Sequence, residues 1–207
     1  MSVGSGALPG RVRLAVLLSV FLSGLCGLFS AWDGFALWRI AELKQAQPSF
    51  PLHPDPVLAE QLRASQVLAL EQMREPRMVV LFALALACSL SFVASTRLLR
   101  PAGLQREAVR KILVWALVVA AVLRTIDGAQ ATVVVRSTAE VLRRGLMLPD
   151  TLSGASAEEV RGLVAPTAFL VAILQTVVMV GPFLLLSQYF RSPRVKEWAA
   201  HADAQVS

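Results

Sequence analysis

The sequence predicts an all-α integral membrane protein, with four transmembrane helices in an antiparallel bundle and helical extensions in the two outer loops. Apolar residues make up 56% of the 207 residues, more than the ~45–50% of a soluble domain. Mean hydropathy is +0.61. The apolar residues are concentrated in four windows, each close to or above the ~20 residues that span a bilayer. Windows 14–31, 78–96 and 167–190 are uncharged, whereas 112–135 contains charges.

These windows lead to one transmembrane domain covering residues 1–207. We place the spans at about 14–37, 77–97, 110–136 and 166–190. The outer loops are then 38–76 and 137–165, and a shorter cytoplasmic loop covers 98–109.

The first span has some features of a secretory signal, because Arg11 and Arg13 directly precede its apolar run. Its apolar core of about 18 residues is longer than the ~7–15 that are typical of a signal. The usual small-x-small cleavage pattern does not follow it, since Phe29 lies at the third position back from Ala31. We therefore expect an uncleaved anchor, and a cleaved signal is the alternative.

The distribution of basic residues predicts the orientation. Residues 96–111 hold five basic residues against one acid, and both tails are basic next to their spans, whereas the two outer loops are nearly balanced. Lys and Arg near span ends favour the cytoplasmic side, so we expect both termini to be cytoplasmic. Only three of the twenty basic residues are lysines, and Ala, Leu and Val are abundant. This composition is typical of a GC-rich bacterial genome and favours the bacterial inner (plasma) membrane.

The net charge of +6 and the pI near 10.3 do not indicate nucleic-acid binding. The basic residues cluster at the ends of apolar spans instead of forming one polar face. The expected partners are the lipid bilayer and either another membrane protein or further copies of the chain.

Prolines mark the points where the chain is expected to turn or bend. Asp55 and Pro56 are suited to the N-cap and first position of a helix in the first outer loop. Pro76 and Pro166 fall where each returning helix re-enters the membrane, and we predict hinges there. A further hinge is predicted at Gly181 and Pro182, within the fourth span.

The two halves of the chain, 11–101 and 105–194, look alike. Each has an Asp-Gly pair, at Asp33 and Asp127, followed by a downstream Arg and Glu and then by a proline. A tandem two-span repeat would relate the halves by an axis along the membrane normal. The alternative is that two helical hairpins resemble each other without duplication.

Small residues recur at three- and four-residue steps on the first two spans. Such stripes let helix backbones approach closely in lipid. They predict that the first two spans pack together, with a self-association face as a further option. The expected packing residues are Ser19, Ser23, Gly27, Ala83, Ala87 and Ser91.

The third span carries an arginine and an aspartate. Counted from Lys111 at about 1.5 Å per residue, Arg124 and Asp127 lie roughly 20 and 24 Å along the helix, in the outer leaflet of a ~30 Å core. Their spacing lets them pair, and Gln130 continues the same face. Asp33 joins them if the first and third spans are neighbours. The cluster is expected to be either a structural ion pair or a pocket for an ion or small solute.

No residue pattern predicts catalysis. Cys26 and Cys88 both fall inside spans, where we expect packing residues and no disulfide. His53 and His201 stand alone, so neither a metal site nor a cofactor site is predicted. We therefore expect a non-enzymatic interaction or accessory subunit. The alternative is a small oligomeric transporter or channel that uses the Asp/Arg cluster.

Overall fold

The computed structural model describes residues 9–40, 56–100, 105–145 and 155–204. These ranges are α-helical apart from single turns, and no strand occurs in them. We number the helices in chain order. They are α1 (Gly10–Trp38), α2 (Pro56–Gln72), α3 (Arg74–Leu99), α4 (Arg106–Gly145), α5 (Ala155–Arg191) and α6 (Pro193–Ala204).

Four of the helices, α1, α3, α4 and α5, are long and apolar enough to cross a membrane. This confirms the predicted fold class in the described part of the chain. The predicted helical extensions are also present, because α2 lies within the first predicted outer loop and α4 and α5 continue into the second. Helix α2 begins at Pro56, as expected, whereas its proposed cap Asp55 lies outside the described residues.

Pro76 explains why α2 and α3 are separate helices. A proline has no N–H and its ring clashes with the carbonyl four residues earlier, here that of Gln72, which is the last residue of α2. The chain passes through Met73, whose carbonyl accepts a hydrogen bond from the Arg77 N–H at 3.0 Å. Pro166, by contrast, lies inside α5, which is continuous through it and through the Gly181–Pro182 pair.

The chain divides into two units, and unit 1 contains Met1–Asp33, Val80–Arg124 and Val178–Ser207. Its core draws apolar side chains from α1, α3, α4, α5 and α6. The largest that are fully buried are Phe183, Phe190, Leu84, Leu98, Leu113 and Leu117.

Buried serines and a glycine bring α1 and α3 together within unit 1. The Ser95 hydroxyl donates to the Ser19 hydroxyl at 2.9 Å, and both residues are fully buried. A Cβ placed on Gly27 would lie 3.0 Å from the Cβ of Cys88, so a larger residue would push the helices apart. Ser23 and Ser91 are buried as well, and each hydroxyl donates to the carbonyl four residues earlier.

Two further packing predictions fall on α3. Ala87 is buried in the unit 1 core, and Ala83 is half-buried. Of the predicted packing residues, Ser19 and Gly27 contact α3, whereas Ser23, Ala87 and Ser91 are buried.

Helix α6 packs against the start of α4. The Asp203 carboxylate accepts hydrogen bonds from the backbone N–H groups of Arg106 and Glu107, at 2.6 and 3.0 Å. These N–H groups have no acceptor within their own helix, so Asp203 caps α4 from a distant part of the sequence. The Arg106 guanidinium also lies 5.2 Å from the ring centre of Trp198.

Arg110 joins the start of α4 to the end of α5. Its guanidinium makes two hydrogen bonds to the Glu107 carboxylate, both 2.7 Å. It makes a third, of 2.6 Å, to the backbone carbonyl of Phe190 in the last turn of α5. Arg110 is 7% exposed, so these bonds are shielded from water.

Unit 2 contains Gly34–Val79 and Thr125–Val177. Its buried apolar residues come from the end of α1 and the residues just after it, from α2 and from the second part of α4. They are Leu37, Ile40, Leu58, Leu62, Ala69, Val134 and Ala139.

Candidate functional site

Unit 2 contains a buried ion pair between α3 and α4. The Nε of Arg77 lies 3.5 Å from Oδ1 of Asp127, with side chains 14% and 6% exposed. Arg77 directly follows Pro76 and is the fourth residue of α3, so it lies in the first turn of that helix. A charge in a membrane helix costs about 2.5–3.5 kcal/mol on insertion scales, and pairing offsets part of this cost.

Two more polar groups belong to the same unit. Gln130 is half-buried and lies three positions after Asp127, so the two share a face of α4. Its Oε1 atom is buried and has no hydrogen-bond partner among the described residues. Arg74 donates from Nη2 to the backbone carbonyl of Trp38 at 3.0 Å, which satisfies a carbonyl at the end of α1.

The cluster predicted from the sequence is divided between the units. Asp33 is exposed and belongs to unit 1, as does the half-buried Arg124, whereas Asp127 and Gln130 belong to unit 2. Within unit 1, Arg124 acts electrostatically on Cys88. The proposed pairing of Arg124 with Asp127 stays a prediction, as does the role of Asp33.

Arg77 is not among the residues that the sequence pattern predicts for the site. It lies at the edge of an apolar window, where a basic residue is usually assigned to the membrane interface. A signal is nevertheless present, because Arg74 and Arg77 are three residues apart at the start of α3 and so share a helix face.

A groove runs between α4 and α5 in unit 2. Its volume is about 360 Å³, and it is lined by Thr125, Gly128, Ala129, Thr132, Phe169, Ile173, Thr176 and Val177. The helices approach closely at Gly128, where a Cβ would overlap the side chain of Thr176. The hydroxyls of Thr132 and Thr176 donate to carbonyls of their own helices, at 2.6 and 2.9 Å.

Because these two hydroxyls donate to carbonyls of their own helices, Thr132 and Thr176 contribute mainly their methyl groups to the groove. Pro166, Gly181 and Pro182 do not line it, and their roles as hinges stay predictions. Among the residues that the structure describes, no group of three or more His, Cys, Asp or Glu side chains is arranged to hold a metal ion.

The four apolar helices therefore describe a multi-pass membrane protein with a buried ion pair and an apolar groove in one unit. The chain matches no protein-family model, and comparisons with curated proteins and with solved structures give no significant match.

Proposed function

We propose that this membrane protein is a non-enzymatic interaction or accessory subunit, and that the α4–α5 groove binds a transmembrane helix of another protein. The observation that carries the proposal is the groove, whose walls combine small residues at Ala129 and Thr132 with large apolar ones at Phe169 and Ile173. Small residues permit close approach of a second helix, which is the main source of helix association in lipid.

The low burial of α5 supports the same proposal. Only 11% of the residues in its most apolar window are buried, against 28% in α1 and 39% in α3 and α4. The groove is mostly apolar, and the Thr132 and Thr176 hydroxyls in its lining donate to carbonyls of their own helices. A partner helix with large apolar side chains matches both the shape and the chemistry of this surface.

Photo-crosslinking in native membranes tests the proposal. A crosslinking side chain at Ile173, which lines the groove and is 41% exposed, should capture one membrane protein. The same group at Leu185, which is 68% exposed and outside the groove, should not. The captured protein is identified by mass spectrometry, and its contacting segment should be an apolar helix.

A neighbouring pair of substitutions provides the control. Thr132→Phe fills the groove and should abolish the crosslink from Ile173, whereas Val133→Phe alters an adjacent exposed residue that does not line it and should leave the crosslink intact. Adducts with lipid alone would contradict the proposal. Adducts with a second copy of the chain would replace the accessory role with self-association.

For location, we propose the bacterial inner membrane with both termini in the cytoplasm. The excess of basic residues at 96–111 and in both tails supports this orientation. The preference for arginine over lysine supports a bacterial source.

A second candidate function, solute transport, is favoured by one specific observation. Gln130 places a buried amide oxygen without a hydrogen-bond partner in the described chain on the face of α4 that carries Asp127. If this face binds a solute, Asp127→Asn should abolish solute movement into proteoliposomes while leaving the protein folded and abundant. Unchanged flux in that variant would exclude Asp127 as a transport residue.

A further inference from the structure

The two cysteines of the chain lie on neighbouring helices of unit 1. Cys26 is on α1 and Cys88 is on α3, and both are thiols. Cys88 has no exposed surface and Cys26 is half-buried against the same core. Their side chains are hydrogen-bond partners, so the two sulfur atoms are in contact across the helix interface.

The backbones are also close at this level. The residue after Cys26 is Gly27, and a Cβ there would lie 3.0 Å from the Cβ of Cys88 and 3.8 Å from the carbonyl oxygen of Ala85. A disulfide requires Cα atoms within about 4.4–6.8 Å and Cβ atoms within about 3.5–4.5 Å. The close packing at Gly27 therefore brings the α1 backbone next to Cys88, at the position adjacent to Cys26.

The surroundings determine which oxidant reaches the pair. Cys26 lies thirteen positions after Arg13, which is roughly 20 Å along the helix and within the apolar part of the span. The exposed part of its side chain therefore faces lipid.

We propose that Cys26 and Cys88 form a redox-sensitive pair that a lipid-soluble quinone closes into a disulfide between α1 and α3. In this reaction two S–H bonds break and one S–S bond forms. The two electrons and two protons pass to the quinone, which becomes a quinol. The disulfide then ties the two helices covalently at the seam that contains Ser19 and Ser95.

The experiment uses the full chain, reduced and reconstituted into lipid nanodiscs. After incubation with a short-chain benzoquinone, the protein is denatured and its thiols are counted with a polyethylene-glycol maleimide. Because the chain has two cysteines, the reduced protein should carry two adducts and the oxidised protein none. The intact mass should fall by two hydrogen atoms, and a reducing agent should restore both adducts.

Two engineered chains, in which cysteines are moved to other positions, serve as the positive and the negative control for disulfide formation. Ser19→Cys with Ser95→Cys, in a Cys26→Ser/Cys88→Ser background, places thiols at a pair already in contact across the same interface and should close. Cys88→Ser with Ser89→Cys moves one thiol to an exposed position next along α3 and should stay open.

Two adducts remaining on the native chain after quinone treatment would overturn the proposal, whatever the engineered pairs do. Closure of the Ser19/Ser95 pair alone would then assign the failure to the geometry at Cys26 and Cys88. One adduct, or loss of both without the matching mass change, would also overturn it, because those products are not an intramolecular disulfide.

Discussion

Arg110 stabilises two helix ends at once, because it bonds to both Glu107 and the Phe190 carbonyl. We expect Arg110→Gln to lower the free energy of unfolding by about 2–3 kcal/mol, since charge-assisted hydrogen bonds in a buried setting are lost and two acceptors are left without a donor. Thermal unfolding in detergent, followed by circular dichroism, measures the change.

Lys111 offers a matched control for this prediction. It also faces Glu107, at 3.7 Å, but its side chain is 67% exposed. An exposed ion pair contributes about 0–1 kcal/mol, so Lys111→Gln should have little effect. Equal losses in the two variants would show that burial at Arg110 does not determine the contribution of the pair.

The Arg77–Asp127 pair is expected to be structural as well as a candidate site. Removal of one member leaves the other charge buried, so Asp127→Leu should cost about 3 kcal/mol. The double change Arg77→Leu/Asp127→Leu should recover much of the loss, because no unpaired charge remains. A double-mutant cycle on thermal stability in detergent measures the coupling.

A cycle in which the two changes simply add would contradict the pairing of Arg77 with Asp127. The same cycle with Arg124→Leu tests the partner that helical spacing alone predicts. Strong coupling of Asp127 to both arginines would indicate that its carboxylate interacts with two cations.

At the scale of the helices, the close approach of α4 and α5 at Gly128 leads to a specific prediction. Gly128→Ala should destabilise the protein, because the added Cβ would overlap the Thr176 side chain. Gly162→Ala should instead stabilise α5 by up to about 1 kcal/mol through helix propensity, since a Cβ there meets no atom within 4 Å. Thermal unfolding of both variants in one detergent provides the comparison.

Opposite signs for these two Gly-to-Ala changes would confirm that Gly128 is required by packing and not by backbone conformation. Stabilisation in both variants would show that Thr176 changes its rotamer at little cost. The groove would then be a shallower surface than the one described.

The helices themselves were largely predictable. Their positions follow from local composition, and the α2–α3 break follows from the chemistry of a single residue, Pro76. Of the small residues that recur along α1, Ser19 contacts α3 through Ser95. The α4–α5 groove could not be predicted, because its shape depends on how two helices lie against each other at Gly128, and no periodicity in either helix encodes that.

At the scale of the whole molecule, topology is the property most open to test. Reporter fusions at Gln105 and at Thr151, which lies outside the described residues, should report opposite sides of the membrane, with Gln105 in the cytoplasm. An alkaline phosphatase and a fluorescent reporter at each position give complementary signals. The same side for both positions would overturn the four-span arrangement.

At this scale, too, only part of the arrangement follows from the sequence. Composition and hydropathy indicate a membrane protein, because they report how each segment partitions between water and lipid and need no knowledge of neighbouring residues. The partner of Asp127 could not be derived in the same way. Arg124 is the nearer cation along the sequence, whereas Arg77 comes within 3.5 Å only because α3 and α4 are adjacent. The capping of α4 by Asp203 is equally non-local.

That cap has a consequence for how the chain is made. Asp203 is 97 residues from the Arg106 N–H that it accepts, and translation proceeds from the N-terminus. The first turn of α4 therefore leaves the ribosome uncapped and stays so until Asp203 has been added. A ribosome that stops before Asp203 leaves the start of α4 without this acceptor, although the helix itself has already been translated. An element translated early is thus completed by a residue translated long after it.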